Sequence, residues 1–431
     1  MRRTGGQADR RAVVTWRGWL GAVALLFSAF PPSRLSAQSI AITNATIYPV
    51  SGPKIERGTV VIRDGRIVAV GASVAVPAGA TQVDGTGKIV TPGLFHARST
   101  LGLSEVGSVS ATNEAGHSGD VNAAFNVADG LDPATPLIPI ARLEGVTTSL
   151  SGPTSGLVAG QAVLIDLAGD RVETLVARSP AAMVINLSED SKSAGGGSRA
   201  GVLQRLRQLF LDAQEYERRK NDYRKNAMQE LSANATDLEA LGPVLRGELP
   251  VLAIANRESD IASALRLARE FRLRLIVAGG TEAWKMADEL ARARVPVMIN
   301  PINNIPTFDG PGARFDGPAL LAQAGVSVII IEGETGGPRN LRWAAGHAVR
   351  FGMAWDTALA AVTLNPAKAL GVEDRYGSLE PGKVADVVVW SGDPLDFSSH
   401  ADHVYIRGVE VPAKSRQTEL LERYRTLPPK D

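Results

Sequence analysis

A chain of 431 residues, 44% hydrophobic and 21% charged, is long enough to bury a large core and has the composition of a soluble globular protein. Its 46 Lys and Arg against 45 Asp and Glu leave a formal charge of +1, which gives no electrostatic footprint for nucleic acid or an anionic membrane. Cysteine is absent, which excludes disulfides, a thiolate nucleophile and cysteine-ligated zinc.

The chain opens with a positive segment, Arg2, Arg3, Arg10, Arg11 and Arg17, followed by the apolar run Trp19 to Phe27. Pro31-Pro32 breaks that run, and Leu35-Ser36-Ala37 offers small residues for cleavage. This pattern predicts a signal peptide over 1–37, too short to span a bilayer stably once cut, and a periplasmic or secreted bacterial protein. From 38 to 90 the pattern is β. Ile40 to Tyr48 alternates, and Asp64-Gly65 between two alternating runs is a strong hairpin signal. These strands are too few for an independent domain. Their complement lies at the far end, where Val384 to Trp390 and Val404 to Val411 read as strands. Segments 38–90 and 373–415 are therefore expected to build one small composite β-sandwich, with 416–431 as a tail.

Between them, over 91–372, strands and helices alternate. Strand patterns recur at Val146 to Leu150, Met183 to Leu187, Pro250 to Ala255, Arg274 to Ala278, Val295 to Ile299 and Val326 to Ile331. That alternation predicts an α/β fold, a (β/α)8 barrel. Two segments break the rhythm. Ser104 to Asp132 is polar and aperiodic, which predicts a long, mobile loop over the barrel mouth. Ser191 to Ser198 is a Gly/Ser hinge leading to a charged helix, Ala200 to Asn234, within an insertion over 191–240. The helix is expected to lie outside the barrel as a docking surface. Ser151 to Gly156 is glycine-bearing but lacks the Lys-Ser/Thr of a phosphate loop.

The stretch Thr91-Pro92-Gly93-Leu94-Phe95-His96-Ala97-Arg98-Ser99-Thr100 resembles the opening barrel strand of the amidohydrolase superfamily, especially its imidazolonepropionase-like members. Gly377-Ser378-Leu379-Glu380-Pro381-Gly382-Lys383, with Ala385-Asp386, resembles the C-terminal signature of the same superfamily. The resemblance implies hydrolysis of non-peptide carbon–nitrogen bonds with a divalent metal such as zinc. Position by position, Arg98 and Thr100 stand where the superfamily has its His-x-His pair, and His96 where it has Asp. Ile254 and Asn256 fall at a second histidine pair, Gly279 at another histidine, and Gly333 at the metal-binding Asp. Arginine has no lone pair to give a metal, so no metal cofactor is expected.

Five histidines remain: His96, His117, His347, His400 and His403. Of these, His96 alone is near the expected site, and a shift of one residue turns it away from the barrel axis. The pocket candidates are Arg98, Thr100, Glu105, Asn256, Arg257, Glu282, Lys285, Glu332 and Glu334. Three readings stay open. The chain is a degenerate family member that binds a small molecule or supports an active relative, or forms a homo-oligomer. It is a metal-independent hydrolase using Arg98 and carboxylates, with Glu332 or Glu334 opposite Glu105. Or it is a structural interaction protein.

Overall fold

The computed structural model describes residues 39–225, 227, 229–333 and 338–426. The segment read as a signal peptide and the candidate Glu334 lie outside these residues.

Both ends of the chain build one sheet, as their β patterns require. Strands β1 (Ile40–Ile47), β2 (Ile55–Arg63), β3 (Arg66–Gly71), β4 (Thr81–Asp84) and β5 (Ile89–Pro92) come from the N-terminal side. The β2–β3 hairpin turns at Asp64 and Gly65, both at positive φ (52° and 74°), the geometry that Asp-Gly favours. β14 (Val387–Trp390), β15 (Ala401–Ile406) and β16 (Val409–Glu410) complete the order β16-β15-β14-β5-β1-β2-β3, with β4 on β1. β14 pairs antiparallel with β5, so Val387 faces Pro92 across most of the chain length. Ile42, Ile47, Ile62, Ile67, Val387 and Tyr405 fill the core of this sandwich.

The barrel strands follow in sequence order: β6 (Leu94–Ser99), β7 (Val146–Ser151), β8 (Val158–Asp166), β9 (Val176–Asn186), β10 (Val251–Ala255), β11 (Leu275–Gly279), β12 (Val297–Ile299) and β13 (Val328–Ile330). The eight-stranded barrel with a composite sandwich is the architecture expected, with one difference. β8 runs antiparallel to both neighbours. The connections Gly152 to Leu157 and Leu167 to Leu175 are too short for the dozen or more residues of a parallel crossover, so hairpin-like returns replace them.

Strand alternation sorts the barrel residues into two layers. Phe95, Ala97, Leu150, Leu252, Ile254, Ala278, Met298 and Ile331 pack into one interior cluster. Val146, Val251, Val277, Val297 and Val328 join the larger cluster under the helices. Each large side chain so buried contributes about 1.5–3 kcal/mol. β13 and β6 do not share a strand ladder, so the barrel is nearly closed. Side chains and loops stitch that gap: Phe95 N–H donates to Val362 O (2.8 Å) and the Asn365 amide to Val328 O (2.8 Å).

Two expectations are corrected. The long charged helix is shorter, Arg199–Arg218, and does not stand off the barrel. Its residues Val202, Leu206, Leu209, Phe210, Ala213 and Tyr216 are buried, with Phe210 edge-on to Phe271 at 5.1 Å. The charges that suggested a free helix occupy only its outer face. The segment 104–132 is no loose cover either. It lays Ala115, Ala123 and Val127 into the core and bridges onto β8 at Val121–Val158 and Asn126–Gln161.

Candidate functional site

In a barrel of this kind chemistry sits at the C-terminal ends of the parallel strands. At the end of β6, Arg98 and Thr100 line a cavity of about 10 Å3 with Leu150, Pro153, Thr154, Ala162, Val184 and Leu252. That space admits about one water molecule. Beneath it the barrel interior is hydrocarbon, with Ile254, Ala278, Met298 and Ile331 in mutual contact. A catalytic metal requires nitrogen or oxygen ligands converging on one point. Among the described residues no group of three or more His, Cys, Asp or Glu is placed to hold one. Arg98, at the end of β6, has no lone pair to give a divalent metal.

His96 is buried but does not join this mouth. The β6 register shifts between Leu94 and Phe95 and again between His96 and Ser99, and these irregularities turn the ring into the gap between β6 and β13. There Nε2 lies 3.1 Å from Glu332 O, and Nδ1 accepts from Arg98 N–H at 3.4 Å. The tautomer protonated at Nε2 suits the Glu332 O and Arg98 contacts, whereas the Glu332 N–H, 3.3 Å from the same nitrogen, calls for a lone pair there. Burial pushes the His96 pKa down to about 4, with the nearby Arg98 charge acting in the same direction. The ring is therefore neutral and structural, a stitch across the barrel's closing gap.

The second group of candidates comes together around another task. Asn256, after β10, donates to Asp309 Oδ2 (2.9 Å) and accepts from the Thr281 hydroxyl (3.2 Å). The Arg257 guanidinium donates to Phe308 O. Glu282 is buried and accepts from Lys285 Nζ (2.9 Å), Gly312 N–H (2.7 Å) and Glu258 N–H (2.9 Å). Burial raises its pKa, but those three donors outweigh burial and hold the carboxyl below its ordinary range. Asn256, Arg257, Glu282 and Lys285 thus fasten the loop between β12 and the helix Gly317–Gln323, and Lys285 also lines an open cleft of about 630 Å3 with Glu258, Trp284 and Arg314.

Four residues not among the candidates anchor this arrangement. Arg199 pairs at 2.8 Å with each of Glu189, Asp260 and Asp309, which come from the segments following β9, β10 and β12. Asp260 is almost fully buried, and burial raises its pKa against the pull of Arg199. The separations of 61 and 110 residues from Arg199 to its partners (260 − 199 and 309 − 199) leave no local pattern to read.

Glu332, after β13, is half-buried. Burial raises its pKa, opposed by the Gly333 N–H, the Asn340 side chain and Arg339. Its Oε2 is buried without a hydrogen-bond partner. Glu105 is not opposite it at the mouth. It lines a separate cleft of about 260 Å3 with Ser104, Glu114, Asp132 and Thr135, because the segment after β6 turns back on itself through Leu103 O and Glu114 N–H (2.7 Å). The expected Glu332–Glu105 opposition is corrected accordingly. The other histidines are also remote: His347 packs on Phe315 and Phe351, while His400 and His403 pair with Asp402 and Glu410 in the terminal sheet.

Residues 342–412 match a model of the amidohydrolase family. A solved amidohydrolase from Thermotoga maritima is similar over 87% of this chain and all of its own, at 32% identity and a TM-score of 0.80. Amidohydrolase tasK of Hapsidospora irregularis is 25% identical over 93% of this chain, which spans 41% of that relative's length. An imidazolonepropionase of Erwinia tasmaniensis is 48% identical over 64 residues, 15% of either chain.

Proposed function

Because the chain belongs to the amidohydrolase family, we propose that it is a member whose barrel works without the family's metal chemistry, as a binding protein or as the supporting subunit of an active relative. One observation carries this reading: the permanently charged Arg98 lines a small cavity with Leu150, Ala162, Val184 and Leu252, part of the apolar cluster that also holds Ile254, Ala278, Met298 and Ile331. The ligand class is a small molecule of the kind amidohydrolases recognise, with a carbon–nitrogen bond, and nucleic acid is not a partner. The charged N-terminal segment and its apolar run support export to the periplasm. No described helix is long and apolar enough to cross a membrane.

Metal analysis of the purified full chain tests the proposal, with Arg98→His/Thr100→His measured beside it. Substoichiometric zinc, manganese and iron in the wild type is the expected result. One metal per chain that survives dialysis overturns it. A second reading rests on Glu332, whose raised pKa and unpartnered oxygen suit a general acid. Turnover of carbon–nitrogen substrates that survives chelator and is lost in Glu332→Gln would favour that reading instead.

A further inference from the structure

The other end of the barrel holds a buried pair of carboxylates. Asp166, at the end of β8, is fully buried, and Asp386, just before β14, is nearly so. Arg407, in the turn between β15 and β16, serves both. Its Nε and Nη2 lie 2.6 Å from Asp166 Oδ2, and its backbone N–H donates to Asp386 Oδ1 at 2.8 Å. Tyr376 OH donates to Asp166 Oδ2 (3.1 Å), and Thr148 Oγ1 lies 3.2 Å from Asp386 Oδ2. The joint therefore gathers Asp166 and Thr148 from the barrel with Asp386, Arg407 and Tyr376 from the C-terminal part of the chain.

The charges do not balance if both acids are ionised. Of the two acids, the Arg407 guanidinium is bonded to Asp166 alone, and Arg375 lies to the solvent side, stacked on the Tyr376 ring at 5.1 Å. Two carboxylates against one bonded cation leave a surplus negative charge out of water, which is strongly unfavourable. Asp166 Oδ1 also lacks any hydrogen-bond partner. A proton on the pair removes the surplus charge. Asp166, which receives the Arg407 and Tyr376 donors, is the ionised partner. Asp386 has no cationic side chain bonded to it and is the protonated one.

We propose that Asp386 carries a proton in the folded chain, held beside Thr148, and that losing it destabilises the joint between barrel and sandwich. Burial, and then the neighbouring Asp166, push the Asp386 pKa from 3.8 up to about 8, against the Arg407 N–H and the Thr148 hydroxyl. Burial raises Asp166 as well, opposed by Arg407 and Tyr376. Because the folded value lies above the unfolded one, this proton's stabilisation is complete below about pH 4. It is lost as pH rises, and is gone above about pH 8.

Chemical denaturation of the full chain between about pH 5 and pH 9 tests this, with Asp386→Asn beside the wild type. The wild-type folding constant should fall about tenfold per pH unit relative to Asp386→Asn, levelling near pH 8. Parallel profiles for the two chains overturn the proposal. Should Asp386→Asn not fold, infrared spectroscopy decides it on the wild type and on Thr148→Val. The expected result is a protonated-carboxyl band, present in mild acid, lost above about pH 8 and shifted by Thr148→Val. Absence of the band, or a band that Thr148→Val leaves unmoved, sinks the idea. None of these readouts depends on what the barrel mouth binds.

Discussion

The gap between β6 and β13 buries an imidazole and the joint between barrel and sandwich a pair of carboxyls, and each keeps one group neutral by the opposite means. His96 sheds its proton, because burial drives its pKa down to about 4. Asp386 holds one, because burial drives its pKa up to about 8. The physics is the same: removal from water disfavours the charged form, whichever form that is. What differs is the sequence context. Asp386 lies in a stretch that resembles the family, and His96 stands where the family has another residue. Family membership is thus written in the scaffold, and it does not by itself fix what the strand ends do.

The largest effect should come from Arg407→Ala at the joint. It leaves Asp166, which is 0% exposed, without its bonded cation, and should cost about 3–5 kcal/mol in denaturant unfolding. A loss below about 1 kcal/mol would mean that the joint is not under electrostatic load. At the mouth, Arg199→Ala releases Glu189, Asp260 and Asp309 together. Because the guanidinium is partly exposed, the expected loss is smaller, about 2–3 kcal/mol. The mouth should also open, with proteolysis between β12 and the helix Gly317–Gln323 faster than in the wild type. Unchanged cleavage would show that Asn256, Arg257 and Glu282 hold this loop without Arg199.

The smallest effect at neutral pH belongs to His96→Gln, which keeps a hydrogen-bonding group in the gap. Its signature is the pH profile. The folded pKa lies below the ordinary value of 6.5, so the histidine's contribution is present above about pH 6.5 and is lost as pH falls toward 4. The wild type should lose about tenfold in folding constant per pH unit across that window relative to His96→Gln. This limb runs opposite to that of Asp386, so the double variant should lose both slopes. A His96→Gln profile parallel to the wild type in acid would place the relevant proton elsewhere.

Much of the scaffold was legible because it rests on local signals. The Asp64-Gly65 turn, the alternating runs and the motif around Pro92-Gly93 each depend on neighbours in sequence. Arg98 and Thr100, at the end of β6, line one small cavity. The role of Glu282 was not legible, since its partners include Gly312 N–H from a loop that no periodicity describes. The Arg199–Asp309 pair was missed for the same reason. The helix Arg199–Arg218 misled through its charges. Its apolar stripe, Val202, Leu206, Leu209 and Ala213, was present at helical spacing and outweighed them.

By itself the sequence determined the barrel-and-sandwich architecture, its composite sheet and the residue types at the strand ends, because period, turn chemistry and side-chain identity are local properties. Only the tertiary structure decided that β8 runs antiparallel, that His96 closes the barrel, that four pocket candidates fasten a loop, and that Asp166 and Asp386 share one buried site. Those outcomes depend on which distant segments meet and on how much water is left between them. Burial converts a polar side chain into a structural obligation, and burial is a property of the packed chain.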